Sequence, residues 1–123
     1  MKVLLSIKPE FANQIFNGTK RFEFRKAVFK REDVDSVLVY ASSPVQRVIG
    51  EFQVDEIIAD DLESVWAQTQ KYAGISYDYY KSYFSGRDCA YAIKVASPQL
   101  FQRKRKLSHY NIDVAPQSFV YVR

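Results

Sequence analysis

A single cysteine, Cys89, is the only thiol in this 123-residue chain. It allows no internal disulfide and no cysteine-based zinc spacing, and it agrees with a reducing compartment. His109 is likewise alone, with no partner in sequence for a metal, so neither a metal nor a cofactor is expected. The four glycines are scattered singly, giving neither G-x-G-x-x-G nor a P-loop, which excludes nucleotide-triphosphate chemistry of those kinds. No segment approaches the roughly 18 continuous apolar residues of a membrane span, and the run from Met1 to Ile7 is too short for a secretory signal. The expected location is therefore the cytoplasm, with no membrane partner. Repeats, low-complexity tracts and linkers are missing as well.

What is present is apolar and aromatic. With 47% apolar residues, nine tyrosines and nine phenylalanines, the composition is that of a globular chain and not a disordered one. Its length fits one domain over residues 1–123. The formal charge is only +4, but the basic residues concentrate at 20–31 and 103–106. An anionic partner follows, nucleic acid among the candidates.

Periodicity gives the elements. Val3-Leu4-Leu5-Ser6-Ile7 reads as a buried first strand. Pro9 suits a first helical position; Phe11, Ala12, Ile15 and Phe16 form an apolar face, and Gly18 can end the helix in the left-handed region. Beyond that helix C-terminus, with its partial negative charge, Lys20 is electrostatically favoured. Alternation then puts Phe22 and Phe24 on one face of a strand and Arg21, Glu23 and Arg25 on the other. Strands are expected around Val37–Tyr40 and Val48–Val54, with Gly50 marking a bend or a close backbone approach. Asp60 and Glu63 have capping spacing for a helix carrying Leu62, Val65 and Trp66, closed by Gly74. Ser76 caps a short helix in which Tyr80, Tyr83 and Phe84 have core spacing. A strand from Cys89 to Val95 is expected to stop at Pro98, residues 100–116 to be irregular, and Phe119–Val122 to close the chain. The order of elements predicts an α+β domain whose sheet curls into a small β-barrel with short helices over its ends.

Gly18-x-Lys20-x-x-Glu23-x-Arg25 matches the G-x-K-x-x-E-x-R signature of ASCH domains, small β-barrels of the PUA-like group. The Val3–Pro9 run, the Tyr40-Ala41-Ser42-Ser43-Pro44 turn, Ile49-Gly50-Glu51-Phe52, the Trp66 helix, Ala90-Tyr91-Ala92-Ile93 and Pro116-Gln117-Ser118-Phe119 extend the resemblance along nearly the whole chain. It resembles the stand-alone prokaryotic type. The resemblance implies RNA or a modified nucleoside as partner, held in a cleft beside the barrel; DNA is possible, and no protein partner is identifiable.

Within such a cleft, Lys20 would act as a point charge, Glu23 as orienter or acceptor of a base amino group, and Arg25 as a bidentate phosphate or carbonyl contact. Ser42 and Ser43 could add hydroxyl contacts, or simply form the turn. Arg103, Lys104 and Arg105 could contact phosphates, or be solvated loop. An internal salt-bridge network of Lys20, Glu23 and Arg25 is the competing reading. Two other functions stay open. Some ASCH relatives resemble amidohydrolases acting on N4-acetylcytidine through a Lys, a Thr three residues later and a separate Glu. Lys20 matches, but Glu23 stands at the Thr position, and Ala73 and Gly74 where the later Glu is expected. A hydrolase acting on N4-acylated cytidine or RNA would then use Glu23 to activate water and Lys20 to stabilise an oxyanion. The other alternative is a regulator that binds a protein or a small effector.

Overall fold

The continuous apolar run at the start of the chain exists because its strand is covered on both sides. In the computed structural model, which describes residues 1–123, β1 (Lys2–Ile7) sends Val3, Leu5 and Ile7 into one core and Leu4 into another. Helix α1 (Pro9–Asn17) covers the first core with Ala12 and Ile15. It begins at Pro9 and ends where Gly18 adopts φ 88°, both as the sequence predicts.

There follow β2 (Phe22–Arg25), β3 (Ser36–Ala41), β4 (Arg47–Asp61), α2 (Leu62–Thr69), α3 (Tyr77–Tyr83), β5 (Cys89–Arg105) and β6 (Phe119–Val122). The six strands form one mixed sheet in the order β2-β5-β4-β3-β1-β6. β1 and β3 run parallel, and the other pairs are antiparallel. Phe22 and Phe24 of β2 join Ala90 and Ala92 of β5 in a third core, roofed by Val65, Tyr80 and Phe84. The alanines let the two helices approach closely, and the aromatic rings meet edge to face, Phe24 on Tyr80 at 5.3 Å and on Phe84 at 6.4 Å. No helix is long and apolar enough to cross a membrane.

The expected closed barrel is not formed. The ladder ends at β2 on one side and β6 on the other, because the four residues of β2 pair with β5 alone. Where a closing ladder would lie, the Arg25 guanidinium reaches across, its Nη1 donating to Ser6 O (3.3 Å) and its Nη2 to Ser118 O (2.8 Å).

Pro98 does not stop β5, which runs on to Arg105. The pairing slips between Gln53↔Ala96 and Glu51↔Gln99, and Ser97 takes φ 47°, so Pro98 sits in a bulge where its missing N–H breaks no ladder bond. Residues 100–105 are accordingly strand and not irregular. The partner β4 also extends beyond Val54, paired with β5 as far as Asp61↔Cys89. This moves the α2 cap by one residue: Asp61, not Asp60, accepts from Ser64 N at 2.9 Å. Gly50 is a close approach, since a Cβ there would lie 2.5 Å from Gln99 O and 2.6 Å from the Phe16 ring.

Candidate functional site

Lys20 enters the structure through the end of α1. Its N–H donates to Gln14 O (3.1 Å), and Arg21 N–H donates to Tyr72 O (2.9 Å), which turns the chain and points the Lys20 side chain inward. Only 2% of the residue is exposed. Nζ donates to Ala73 O at 2.7 Å and lies 5.2 Å and 4.9 Å from the ring centres of Phe11 and Phe24. Burial pushes its pKa below the ordinary lysine value, against a smaller opposing pull from the Glu23 carboxylate. Gly74 makes this possible. At φ 70° it has no side chain where a Cβ would lie 2.7 Å from Lys20 Cβ. Ala73 and Gly74 thus give Lys20 an acceptor and the space for its stem.

Glu23 and Arg25 share the β2 face opposite the two phenylalanines. Arg25 Nη1 meets Glu23 Oε2 at 3.2 Å, with the side chains 12% and 8% exposed. With its bonds to Ser6 O and Ser118 O, three of the guanidinium's contacts are internal. Arg25 is therefore a clasp between β2 and the ends of β1 and β6, and its side chain also lines the cleft. Glu23 Oε2 is the oxygen engaged by that clasp, and Oε1 accepts no bond from the chain. Arg21 and Lys26 are exposed, stacked over Tyr72 and Tyr83.

These residues floor a cleft of about 230 Å³ whose walls include Phe11, Phe24, Tyr79 and Tyr83. Helix α3 has two aromatic faces. Tyr80 and Phe84 point into the core, whereas Tyr79 and Tyr83, also four apart, border the cleft. Tyr83, read from spacing as core, is only partly buried and touches both. Burial raises its phenol pKa, with Arg25 opposing the shift. Tyr79 packs edge-on against Phe11 at 5.4 Å and accepts from Lys8 Nζ at 3.3 Å. Lys8, an exposed rim lysine, escapes a reading centred on the charged strand; the paired i, i+4 tyrosines were the signal for the aromatic wall.

The structure brings Lys20, Glu23 and Arg25 together but does not line this cleft with Ser42, Ser43, Arg103, Lys104 or Arg105. Ser42 N–H donates to Ile7 O in the turn after β3. Arg105 donates to Tyr110 Oη at 2.8 Å and stacks on Phe101 at 3.9 Å. Lys104 lines a separate hollow. No group of three or more His, Cys, Asp or Glu is gathered to hold a metal.

An open mixed sheet covered by α1, with a buried lysine and a carboxylate on the floor of an aromatic-walled cleft, defines a small α+β domain. The ASCH domain model matches residues 5–99, and the chain belongs to the ASCH domain family. It is 29% identical over 128 residues to an "ASCH domain-containing ribonuclease" of Zymomonas mobilis, covering 99% of this chain and 84% of that protein. A crystal structure of ASCH from Zymomonas mobilis superposes with a TM-score of 0.89 at 29% identity, covering 99% of this chain and 87% of that one. Large ribosomal subunit protein uL22 of Ureaplasma parvum is 27% identical over 121 residues; the match takes in 98% of this chain but only 39% of that relative's length.

The clasp and the buried amine have opposite consequences for stability. Arg25→Ala strands Glu23 and is expected to cost about 3 to 5 kcal/mol in a denaturant titration. Arg25→Lys should recover little, for want of the planar fork. Lys20→Met removes a desolvated charge and should leave stability within about 1 kcal/mol of the wild type or above it. Between the lowered Lys20 pKa and 10.5, the unfolded chain holds more protons at this site, so the Lys20 contribution to stability rises with pH across that window. A wild-type minus Lys20→Met difference that falls with pH there contradicts the assignment.

Proposed function

We propose that this chain, acting as one module, binds single-stranded RNA by taking one nucleoside unit into the Lys20–Glu23 cleft. The observation that carries the reading is a desolvated amine and an uncommitted carboxylate oxygen that both belong to residues lining one aromatic-walled cleft. At about 230 Å³, the space is below the roughly 300 to 1,000 Å³ of drug-sized pockets and suits one base with its sugar. Tyr79, Tyr83 and Phe11 offer ring faces and edges for an unstacked base. Glu23 Oε1 accepts an exocyclic amino group, and Lys20 Nζ, with one proton on Ala73 O, donates to a ring carbonyl. Lys8 at the rim meets the phosphate. The relative named as a ribonuclease favours RNA over DNA as the partner.

If so, the logarithm of the association constant for a short single-stranded RNA, measured by fluorescence anisotropy, falls with log salt by about 0.7 per phosphate neutralised. Lys20→Met and Glu23→Gln are expected to weaken binding at least about tenfold, given the cost of leaving a buried polar partner unmet, while the fold is retained. Affinity indifferent to both salt and these substitutions would overturn the reading.

A second reading, hydrolysis, is favoured by the lowered pKa of Lys20 beside a carboxylate, a combination that marks chemically competent sites. Glu23 would take the proton of the attacking oxygen, and Lys20 would stabilise the charge that develops on the substrate. Cleavage of end-labelled RNA, or release of free cytidine from N4-acylated cytidine, should be lost in Glu23→Gln. Equal turnover in that variant rules out this chemistry.

A further inference from the structure

Helix α1 separates two depressions. Lys8 and Phe11 of its first turns line the nucleoside cleft, whereas Pro9 and Asn13, one turn apart, line a second hollow of about 380 Å³. The far wall of this hollow is the part of β5 beyond the Pro98 bulge. It contributes Leu100, 60% exposed, together with Phe101 and Lys104. None of Arg103, Lys104 and Lys106 reaches a carboxylate; all three are exposed. Lys8, at the rim of the first cleft, is also without an ion pair. Free cations thus stand on both sides of a helix about 10 to 12 Å across with its side chains, and each depression has apolar surface on which a base can lie.

We infer that a neighbouring nucleotide of the same RNA strand crosses the first turn of α1 and seats in this second hollow, with its base on the exposed Leu100 and its phosphate on Lys104. The inference rests on the RNA reading of the first cleft. It also gives the basic run at 103–106 a function, at a place different from the one its sequence context suggests. The pattern is that of single-strand readers, in which a charged track joins successive stacking surfaces. Glu10 is exposed on the outer side of the same helical turn, so the crossing strand passes a negative charge there.

The test compares a mononucleotide with an oligonucleotide. Uridine and cytidine 5′-monophosphates, and single-stranded octamers of each, are titrated against wild type, Lys104→Gln, Glu10→Gln and Lys20→Met, with thermal melts to confirm folding. The octamer is expected to bind more tightly than the mononucleotide. Lys104→Gln should weaken the octamer alone and flatten its log–log salt slope by about 0.7, the share of one phosphate. Glu10→Gln should tighten the octamer alone, and Lys20→Met should weaken both ligands. An octamer that binds no better than the mononucleotide, or a salt slope unchanged in Lys104→Gln, overturns the second site and leaves the first standing. Failure of the wild type to bind either ligand overturns both.

Discussion

One arginine completes this sheet. β2 has four residues and a single backbone partner, so no backbone pairing ties it directly to β1 or β6. Arg25 does so from its side chain, donating to Ser6 O at the end of β1, to Ser118 O just before β6, and to Glu23. Two of these acceptors are backbone carbonyls that a barrel would have met with N–H groups. Because the guanidinium is a rigid fork that keeps its charge, it ties β2 to the ends of β1 and β6. The cleft is the space left beside that clasp, which makes its geometry and the open edge of the sheet one structural fact.

The clasp also sorts the three charged residues of the motif by task. Arg25 spends three of its donors on structure. Glu23 gives one oxygen to the clasp and keeps the other. Lys20 carries the largest desolvation burden, held by a single carbonyl among phenylalanine rings. A lysine in such a place is costly to the fold and useful to a ligand, which can restore the hydrogen bonds that burial removed. Of the salt-bridge network posed for Lys20, Glu23 and Arg25, only the Arg25–Glu23 pair forms; Lys20 stands outside it, donating to Ala73 O, and lines the cleft with Glu23.

Local rules made much of this legible. Pro9, Gly18 and the Phe22/Phe24 alternation act through backbone preference and side-chain period, and each is found where it was expected. Ser76 caps α3 through its hydroxyl, accepting from Tyr79 N–H at 3.1 Å. What escaped depends on partners distant in the chain. Arg25 looked like a phosphate fork because its acceptors lie 19 and 93 residues away. Pro98 looked like a stop because a bulge is a property of two strands, not one. The barrel failed for the same reason, since closure needs an edge that only the assembled sheet defines. The basic run at 103–106 is carried away from the motif by the register of β5 with β4, and Ser42 and Ser43 are held in the turn between β3 and β4, Ser42 N–H on Ile7 O. Tyr83 was half legible: its spacing marks a core position, which it fills in part while also bordering the cleft.

The most direct measurement is the titration of Lys20 itself, followed by the NMR shift of its Cε in lysine-labelled protein with and without a saturating nucleoside monophosphate. In the free chain its midpoint is expected below 10.5. It should rise on binding, because an acceptor from the ligand favours the charged amine. A Lys20 midpoint that stays unchanged when the nucleotide is added, while signals elsewhere in the chain respond, would contradict the assignment of this cleft as the nucleoside site.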